Sequence, residues 1–120
     1  MTSINPHVVL ISRNLFGTSR VSGVVRGNDL EINVVRDRDQ LTEVAGDRLI
    51  VVLVDLDEPI DLAGVSDQLG DTVEKIAYGP HVDIEKLQAA ASAGCQVLTR
   101  GQFDTDLPTL AKQWSANNVA

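Results

Sequence analysis

The sequence predicts a three-layer α/β/α sandwich built around a five-stranded parallel sheet. Short runs rich in β-branched residues alternate with amphipathic stretches, each ended by Gly, Asp or Asn, which is the pattern of successive βα units. Val, Leu and Ile number 36 against four aromatic residues, and this excess favours buried strands covered by helices. Because 120 residues is close to the commonest domain size, we expect one domain over residues 1–120, with a core at about 7–116 and a tail at 117–120.

Five segments carry the strand pattern. In chain order they are His7–Ile11, Leu30–Val35, Leu49–Val54, Val73–Tyr78 and Cys95–Thr99. The first and third are continuous apolar runs, as expected of central strands that are covered on both faces. The second carries Glu31 and Asn33 between its apolar residues, which indicates a half-covered strand at the edge of the sheet.

Five helices are predicted between and after these strands. They are Leu15–Arg26, Arg38–Ala45, Leu62–Leu69, a fourth between Asp83 and Gly94, and a last one over about Asp106–Ala116. Asn14 is the expected N-cap of the first helix, and Gly27 is its expected left-handed C′ residue. Asp83 is expected to cap the fourth helix, and Gly94 to end it. The core face of the last helix is predicted to carry Leu107, Leu110, Ala111 and Trp114.

Charge and cysteine content exclude several classes of function. Ten Lys and Arg residues against 17 Asp and Glu residues give a net charge of −7, which argues against nucleic acid or an anionic membrane as the main partner. The single cysteine, Cys95, cannot form an internal disulfide, and no basic and apolar signal segment opens the chain. The longest apolar run is too short to span a bilayer. A soluble cytoplasmic protein is expected.

The candidate functional residues follow the strands. In an open parallel sheet, ligands collect at the carboxyl ends of the strands, where loops leave a crevice. The residues there are Ser12 and Arg13 after the first strand, Asp55, Asp57, Glu58 and Pro59 after the third, Tyr78 and His81 after the fourth, and Arg100 after the fifth. We interpret Asp57 and Glu58 as solvated loop charges. His81 precedes a helix, which favours a loop residue over a general base.

The stretch VVLVDLDEP, with Asp55 and Pro59 four residues apart, resembles the receiver domains of bacterial response regulators, the CheY-like superfamily. The resemblance spans roughly residues 7–116 in length, element order and strand-end spacing. It implies a flavodoxin-like fold with strand order 2-1-3-4-5 and a role in two-component signal transduction. It also places Asp55 at the position of the phosphoacceptor.

The other positions depart from the family's pattern. A phosphorylatable receiver carries a pair of acidic residues after the first strand, because Mg²⁺ needs several hard oxygen ligands; here Ser12 and Arg13 stand there. The family's Ser or Thr at the end of the fourth strand is matched in position by Tyr78 or Ala77, and its lysine after the fifth strand by Arg100. The resemblance is therefore to an atypical receiver, or pseudo-receiver, that lacks the acidic pair.

These departures lead to one main hypothesis. Arg13 and Arg100 are expected to converge on Asp55, so that a guanidinium group takes the place of the metal. The protein is then a regulatory protein–protein interaction module that is not an enzyme and has no metal or cofactor. Its partner is a protein, and a homodimer through about Ile84–Trp114 is left open, since the run Ala89–Ala91 allows close helix approach.

Two alternatives remain open at this stage. The first is a phosphoaccepting response-regulator receiver, in which Asp55 takes a phosphoryl group from a phosphohistidine donor in a phosphorelay. The second is a small flavin-binding or nucleotide-binding protein, whose phosphate is held where the first helix begins. The polar or small residues there are Ser12, Asn14, Gly17, Thr18 and Ser19.

Overall fold

The computed structural model describes residues 6–44, 48–57, 62–69, 73–80 and 82–118. Strands and helices alternate along these ranges. The elements are β1 (His7–Ile11), α1 (Leu15–Arg26), β2 (Glu31–Val35), α2 (Arg38–Val44), β3 (Leu49–Asp55), α3 (Leu62–Leu69), β4 (Glu74–Gly79), α4 (Ile84–Ser92), β5 (Gln96–Thr99) and α5 (Arg100–Asn118). The bounds of the strands agree with the predicted bounds to within one residue.

The sheet is parallel and has the order β2-β1-β3-β4-β5, which confirms the predicted fold class. Every residue of β1 is buried, whereas β2 at the edge has exposed residues between its two buried ones. No helix in the described part of the chain is both long and apolar enough to cross a membrane.

Two hydrophobic clusters fill the two faces of the sheet, because successive residues of a strand point to opposite faces. One cluster joins Val8 and Leu10 of β1 to helices α1 and α5, and it includes the predicted core residues Leu107, Ala111 and Trp114. The other joins alternate strand residues to α2, α3 and α4 through Leu41, Val65 and Ala90. The strand ends that form the crevice therefore belong to a sheet that is packed against helices on both faces.

Helix α1 ends at Arg26, as predicted, but the turn after it differs from the prediction. Gly27 is not the left-handed residue; Asp29 is, with φ of 62°. The amide of Leu30 donates to the carbonyl of Val25, and the amide of Asp29 to the carbonyl of Arg26, so the left-handed residue comes two positions later than expected. A short polar side chain such as that of Asp tolerates this conformation better than most side chains do. The left-handed residue lies at Asp29 because the chain must turn there to enter β2 at Glu31.

Both ends of α4 agree with the sequence. The side chain of Asp83 accepts a hydrogen bond from the amide of Lys86, as an N-cap does. At the other end Gly94 has φ of 91°, and the amide of Cys95 donates to the carbonyl of Ala90 at 3.1 Å. The helix therefore ends in a Schellman motif, which needs the conformational freedom of glycine at C′.

Helix α5 begins at Arg100, six residues before the predicted start at Asp106. Thr99 and Gln102 form a capping box: the hydroxyl of Thr99 accepts from the amide of Gln102 at 3.2 Å, and the side chain of Gln102 accepts from the amide of Thr99 at 3.0 Å. The helix also continues to Asn118, so residues 117 and 118 of the expected tail are helical. Arg100 is thus the first residue of a helix and not part of a loop.

A proline lies in the middle of α5. Pro108 has no amide hydrogen to donate to the carbonyl of Asp104, four residues earlier. That carbonyl instead accepts a hydrogen bond from the guanidinium of Arg20 in α1, at 2.7 Å. The side chain of Arg20 therefore replaces the missing helix bond and ties α1 to α5.

We expect Pro108→Ala to raise the free energy of unfolding by roughly 1–2 kcal/mol, because an interior proline costs a helix about 3 kcal/mol and rigidifies the unfolded chain only modestly. Arg20→Ala should cost about 1 kcal/mol beside Pro108 and less beside Ala, which restores the amide donor. Urea unfolding of the two single variants and the double variant measures this coupling. Equal costs of Arg20→Ala in both backgrounds would contradict it.

Candidate functional site

Asp55 ends β3 at the carboxyl edge of the sheet and is 1% exposed. Its Oδ2 accepts a hydrogen bond from the hydroxyl of Ser12 at 3.0 Å. Its Oδ1 accepts from the amide of Asp57 at 3.1 Å and from Nη2 of Arg100 at 3.0 Å. Both oxygens of this buried carboxylate are therefore bonded, as burial of a charged group requires.

Ser12 is held in place by the elements on either side of it. Its backbone amide donates to the carbonyl of Val35, continuing the ladder between β1 and β2, and its hydroxyl oxygen accepts from the amide of Asn14 at 3.1 Å. The side chain of Asn14 accepts in turn from the amide of Gly17, which confirms Asn14 as the N-cap of α1. The start of the helix thus orients the Ser12 hydroxyl toward Asp55.

Arg100 is the cation of the site. Its Nη2 pairs with Asp55 and also with the carboxylate of Asp57. Burial alone lowers the pKa of Arg100, but the hydrogen bond to Asp55 and the charges of both aspartates outweigh it and raise the pKa above its ordinary value. Since a guanidinium is already protonated at any physiological pH, the positive charge of Arg100 beside Asp55 is present throughout that range.

Tyr78 lies beneath this ion pair. It is opposite Asp55 in the β3–β4 register, and its ring is 5.4 Å from the central guanidinium carbon of Arg100. On α5, Phe103 stacks parallel to it, with ring centroids 4.0 Å apart. Burial, and next the charge of Asp55, raise the pKa of Tyr78 above its ordinary value, so its phenol stays neutral. The two rings form an apolar floor under Arg100.

Phe103 and the role of Asp57 are absent from the sequence-based site. The missed signal was the capping box formed by Thr99 and Gln102, which marks the start of a helix at Arg100. Helical spacing from that start would have placed Phe103 on the inward face, one turn after Arg100. Asp57 is interpreted from the sequence as a solvated loop charge, but it shares Arg100 with Asp55.

The structure brings together Ser12, Asp55, Tyr78 and Arg100 among the predicted site residues. The guanidinium on Asp55 belongs to Arg100, whereas Arg13 is exposed and lines a cleft on the β2 side together with Arg36 and Gln40. Two arginines were expected to bond Asp55; among its described contacts there is one arginine, Arg100. Three of the predicted residues lie outside the described part of the chain: Glu58, Pro59 and His81.

The described residues do not fit the Mg²⁺ site of a phosphorylatable receiver. Mg²⁺ requires near-octahedral oxygen ligands, usually including one or two carboxylates. Here the Ser12 hydroxyl donates to Asp55, and the carboxylates of Asp55 and Asp57 both bond Arg100. Within the described ranges, no group of three His, Cys, Asp or Glu side chains is placed to hold a metal ion.

The strand order β2-β1-β3-β4-β5 and the helices on both faces of the sheet define a class, that of flavodoxin-like parallel α/β sandwiches. No protein-family model matches the chain, and no match was found among curated proteins. Solved structures of receiver domains have a similar fold. The signal receiver domain of an HD domain-containing protein from Pseudomonas fluorescens Pf-5 is similar, with a TM-score of 0.74 and 17% identity over 98% of this chain and 93% of that one.

Two further structures agree. The receiver domain of the TMAO respiratory system response regulator TorR has a TM-score of 0.77 and 14% identity over 94% of this chain and 98% of that one. The receiver domain of the Saccharomyces cerevisiae response regulator Ssk1, co-crystallised with the histidine phosphotransfer protein Ypd1, has a TM-score of 0.70. It is 13% identical over 98% of this chain and 95% of that one. The chain therefore has the fold of response-regulator receiver domains.

Proposed function

We propose that this protein is a receiver-like signalling module that acts by binding a protein partner. In this proposal it is not an enzyme, and Asp55 is not phosphorylated by the Mg²⁺-dependent mechanism. The observation that carries it is the set of hydrogen bonds that Ser12, Arg100 and the amide of Asp57 make to Asp55. Hydrogen bonds from Ser12 and Arg100 draw charge from the two carboxylate oxygens and so lower their nucleophilicity toward phosphorus.

Electrostatics supports the same proposal. Phosphoryl transfer to an aspartate places further negative charge beside an existing carboxylate, and a cation must neutralise it. Arg100 already balances the charges of Asp55 and Asp57 in part, and its guanidinium geometry suits a carboxylate in a fixed ion pair. In this proposal the ion pair with Arg100 takes the place that Mg²⁺ has in a phosphorylatable receiver.

The partner would bind at the face that begins with α4. Val82 is 75% exposed and Ile84 is 61% exposed, and both are apolar residues at the start of that helix. Further along, Ala89 and Ala91 are exposed while Ala90 belongs to the core. Small exposed residues next to an apolar patch support a protein-binding surface within about Ile84–Trp114, for a partner or for a second copy of this chain.

Incubation with acetyl phosphate and Mg²⁺, followed by intact-mass measurement, tests the proposal. We expect no phosphate adduct on the wild-type chain, and no saturable shifts near Asp55 when beryllofluoride and Mg²⁺ are titrated in an NMR experiment. A matched variant is Ser12→Asp with Arg13→Asp and Arg100→Lys, which restores the acidic pair and the lysine. This variant should gain Mg²⁺-dependent shifts at the same amides.

An adduct on the wild-type chain that disappears in Asp55→Ala would overturn the proposal. It would favour the alternative, a phosphoaccepting receiver with Asp55 as the nucleophile toward a phosphohistidine donor.

A further inference from the structure

The outer edge of β2 is open in the described part of the chain. β2 is the first strand of the sheet, so β1 covers one of its edges. The amide of Glu31 donates to a carbonyl just before β1, and the carbonyl of Val35 accepts from an amide just after β1. Because bonding residues alternate along a strand, Glu31, Asn33 and Val35 bond β1. The amides and carbonyls of Ile32 and Val34 therefore point away from the sheet.

These outward groups border a surface groove. Among the residues that the structure describes, no hydrogen bond joins the outward groups of Ile32 and Val34 to another group. A groove of about 440 Å³ at the start of β2 is lined by Arg26 and by the consecutive residues 29–33. Successive strand residues point to opposite faces, so both sets can line one groove only where it follows the strand edge. The edge therefore has room for another extended segment.

The outward groups are arranged symmetrically about Asn33. Ile32 and Val34 lie on either side of it in β2. A second β2 that runs antiparallel about a two-fold axis at Asn33 places Ile32 of each copy opposite Val34 of the other. Residues opposite each other in antiparallel strands can exchange two hydrogen bonds. The two symmetric pairs then use every outward group of both strands.

The side chains that meet across this axis are compatible. Asn33 is exposed and lies opposite its own copy, where an uncharged carboxamide can both donate and accept. Val34, which is 45% exposed, lies on the same face as Ile32 of the other copy, so the pairing covers apolar surface. A charged residue on the axis would bring like charges together. The strand is therefore suited to a second copy of itself.

Charge favours the antiparallel direction. At the start of β2 the described lining of the groove carries Asp29 and Glu31 against one arginine, Arg26. At the other end Arg36 is exposed just after the strand. Antiparallel pairing about Asn33 places Arg36 of each copy opposite Leu30 of the other, at the acidic end of the groove. The basic end of one strand then meets the acidic end of its copy twice.

Two opposing charge effects are weaker. Asp37 follows Arg36, but its carboxylate accepts a hydrogen bond from the amide of Gln40 and so caps its own helix, α2. The net charge of −7 on each copy is spread along the chain, and beyond about 8–10 Å it is screened at ordinary ionic strength. Because a strand edge of five residues is small for an interface, we expect a weak dimer.

We propose that two copies of this chain associate through β2, paired antiparallel about Asn33, so that their two five-stranded sheets become one. This edge lies across the sheet from β4 and β5, against which α4 packs. A dimer through β2 therefore leaves the α4 surface open to a protein partner. The inference does not rest on the proposed signalling function.

Hydrogen exchange measured by NMR on the full chain tests the pairing, at about 50 μM and about 1 mM, a range that spans a weak interface. The amides of Ile32 and Val34 should exchange at least about threefold more slowly at the higher concentration, because only the monomer exposes them. The amides of Asn33 and Val35, which bond β1, should keep their rates. Sedimentation velocity over the same range should show a monomer–dimer equilibrium.

Two substitutions at one position isolate the backbone bonds. Val34→Pro removes an outward amide without interrupting the ladder to β1. Each dimer then loses two hydrogen bonds, so its Kd should rise at least about tenfold. Val34→Thr keeps the amide and the β-branched shape, and its Kd should stay within about threefold of the wild-type value. Unchanged protection of the Asn33 and Val35 amides shows that the proline variant is folded.

Two further variants test the direction and the surface. Arg36→Glu leaves the outward backbone groups intact and should raise the Kd about fivefold by placing a third acid at the groove. Ile84→Lys, on α4, should leave the dimer unchanged. The proposal would be overturned by the absence of concentration dependence, by equal effects of Val34→Pro and Val34→Thr, or by an unchanged Kd in Arg36→Glu. A dimer that Ile84→Lys breaks and Val34→Pro does not would also overturn it, and would place self-association on α4.

Discussion

An Arg100→Met variant is expected to lose about 2–3 kcal/mol of stability. The methionine keeps most of the length of the side chain but leaves Asp55, which is 1% exposed, without its guanidinium partner. Among the described contacts of Asp55, the hydrogen bonds from Ser12 and a backbone amide then remain. Removing one partner of a buried ion pair typically costs about 3–5 kcal/mol. The lower value is expected because the Arg100 side chain is 33% exposed, so water already screens part of the interaction.

The energetic link between Arg100 and Asp55 can be isolated with a double-mutant cycle. In an Asp55→Asn background the buried charge is gone, and Arg100→Met should cost about 1–2 kcal/mol less than in the wild type. Arg26→Met is the matched control, because it removes an arginine that makes no ion pair with Asp55. Urea unfolding of the four proteins gives the coupling energy. A coupling near zero would mean that the ion pair contributes nothing to the stability of the site.

Phe103→Ala should be the most destabilising single change considered, with a loss of about 3–5 kcal/mol, as for other buried aromatic residues. Phe103 is 1% exposed and packs between α5 and the sheet. Its removal opens a cavity and also uncovers the ring of Tyr78, which it stacks against. Urea or thermal unfolding, with two-state behaviour checked by two probes, measures the loss.

Phe103→Leu separates the cavity from the stacking. Leucine fills most of the space, so the loss should fall to about 1–2 kcal/mol, part of which is the aromatic contact with Tyr78. If Phe103→Ala and Phe103→Leu cost the same, cavity formation is not the main cause and the assignment of Phe103 to a close-packed core is wrong.

The layers and strand positions were accessible from sequence because they depend on repeated patterns. The continuous apolar run that became β3 could only be buried on both faces, and the polar residues of β2 could only belong to an edge. The end of α1 was not accessible in the same way. Gly27 has the better intrinsic preference for a left-handed conformation, but the path of the chain into β2 requires it at Asp29.

The candidate site shows a similar division. Strand ends place Ser12, Asp55 and Arg100 at one edge whatever their side chains do, so their proximity follows from topology. The contacts of a loop side chain do not: Arg13 is exposed and is not among the described contacts of Asp55, whereas Asp57 bonds Arg100. These orientations depend on local backbone angles that no periodic pattern encodes.

The start of α5 at Arg100 has a mechanical consequence. The capping box joins β5 to α5 with no intervening loop, so the residue that bonds Asp55 is rigidly part of a helix of 19 residues. At 1.5 Å per residue that helix is about 28 Å long, and a tilt of roughly 5° at its first turn would displace its far end by about 2–3 Å. If α5 moves as one body, it acts as a lever arm that Arg20 holds at the carbonyl of Asp104, and a small displacement of Arg100 would be larger where α5 ends.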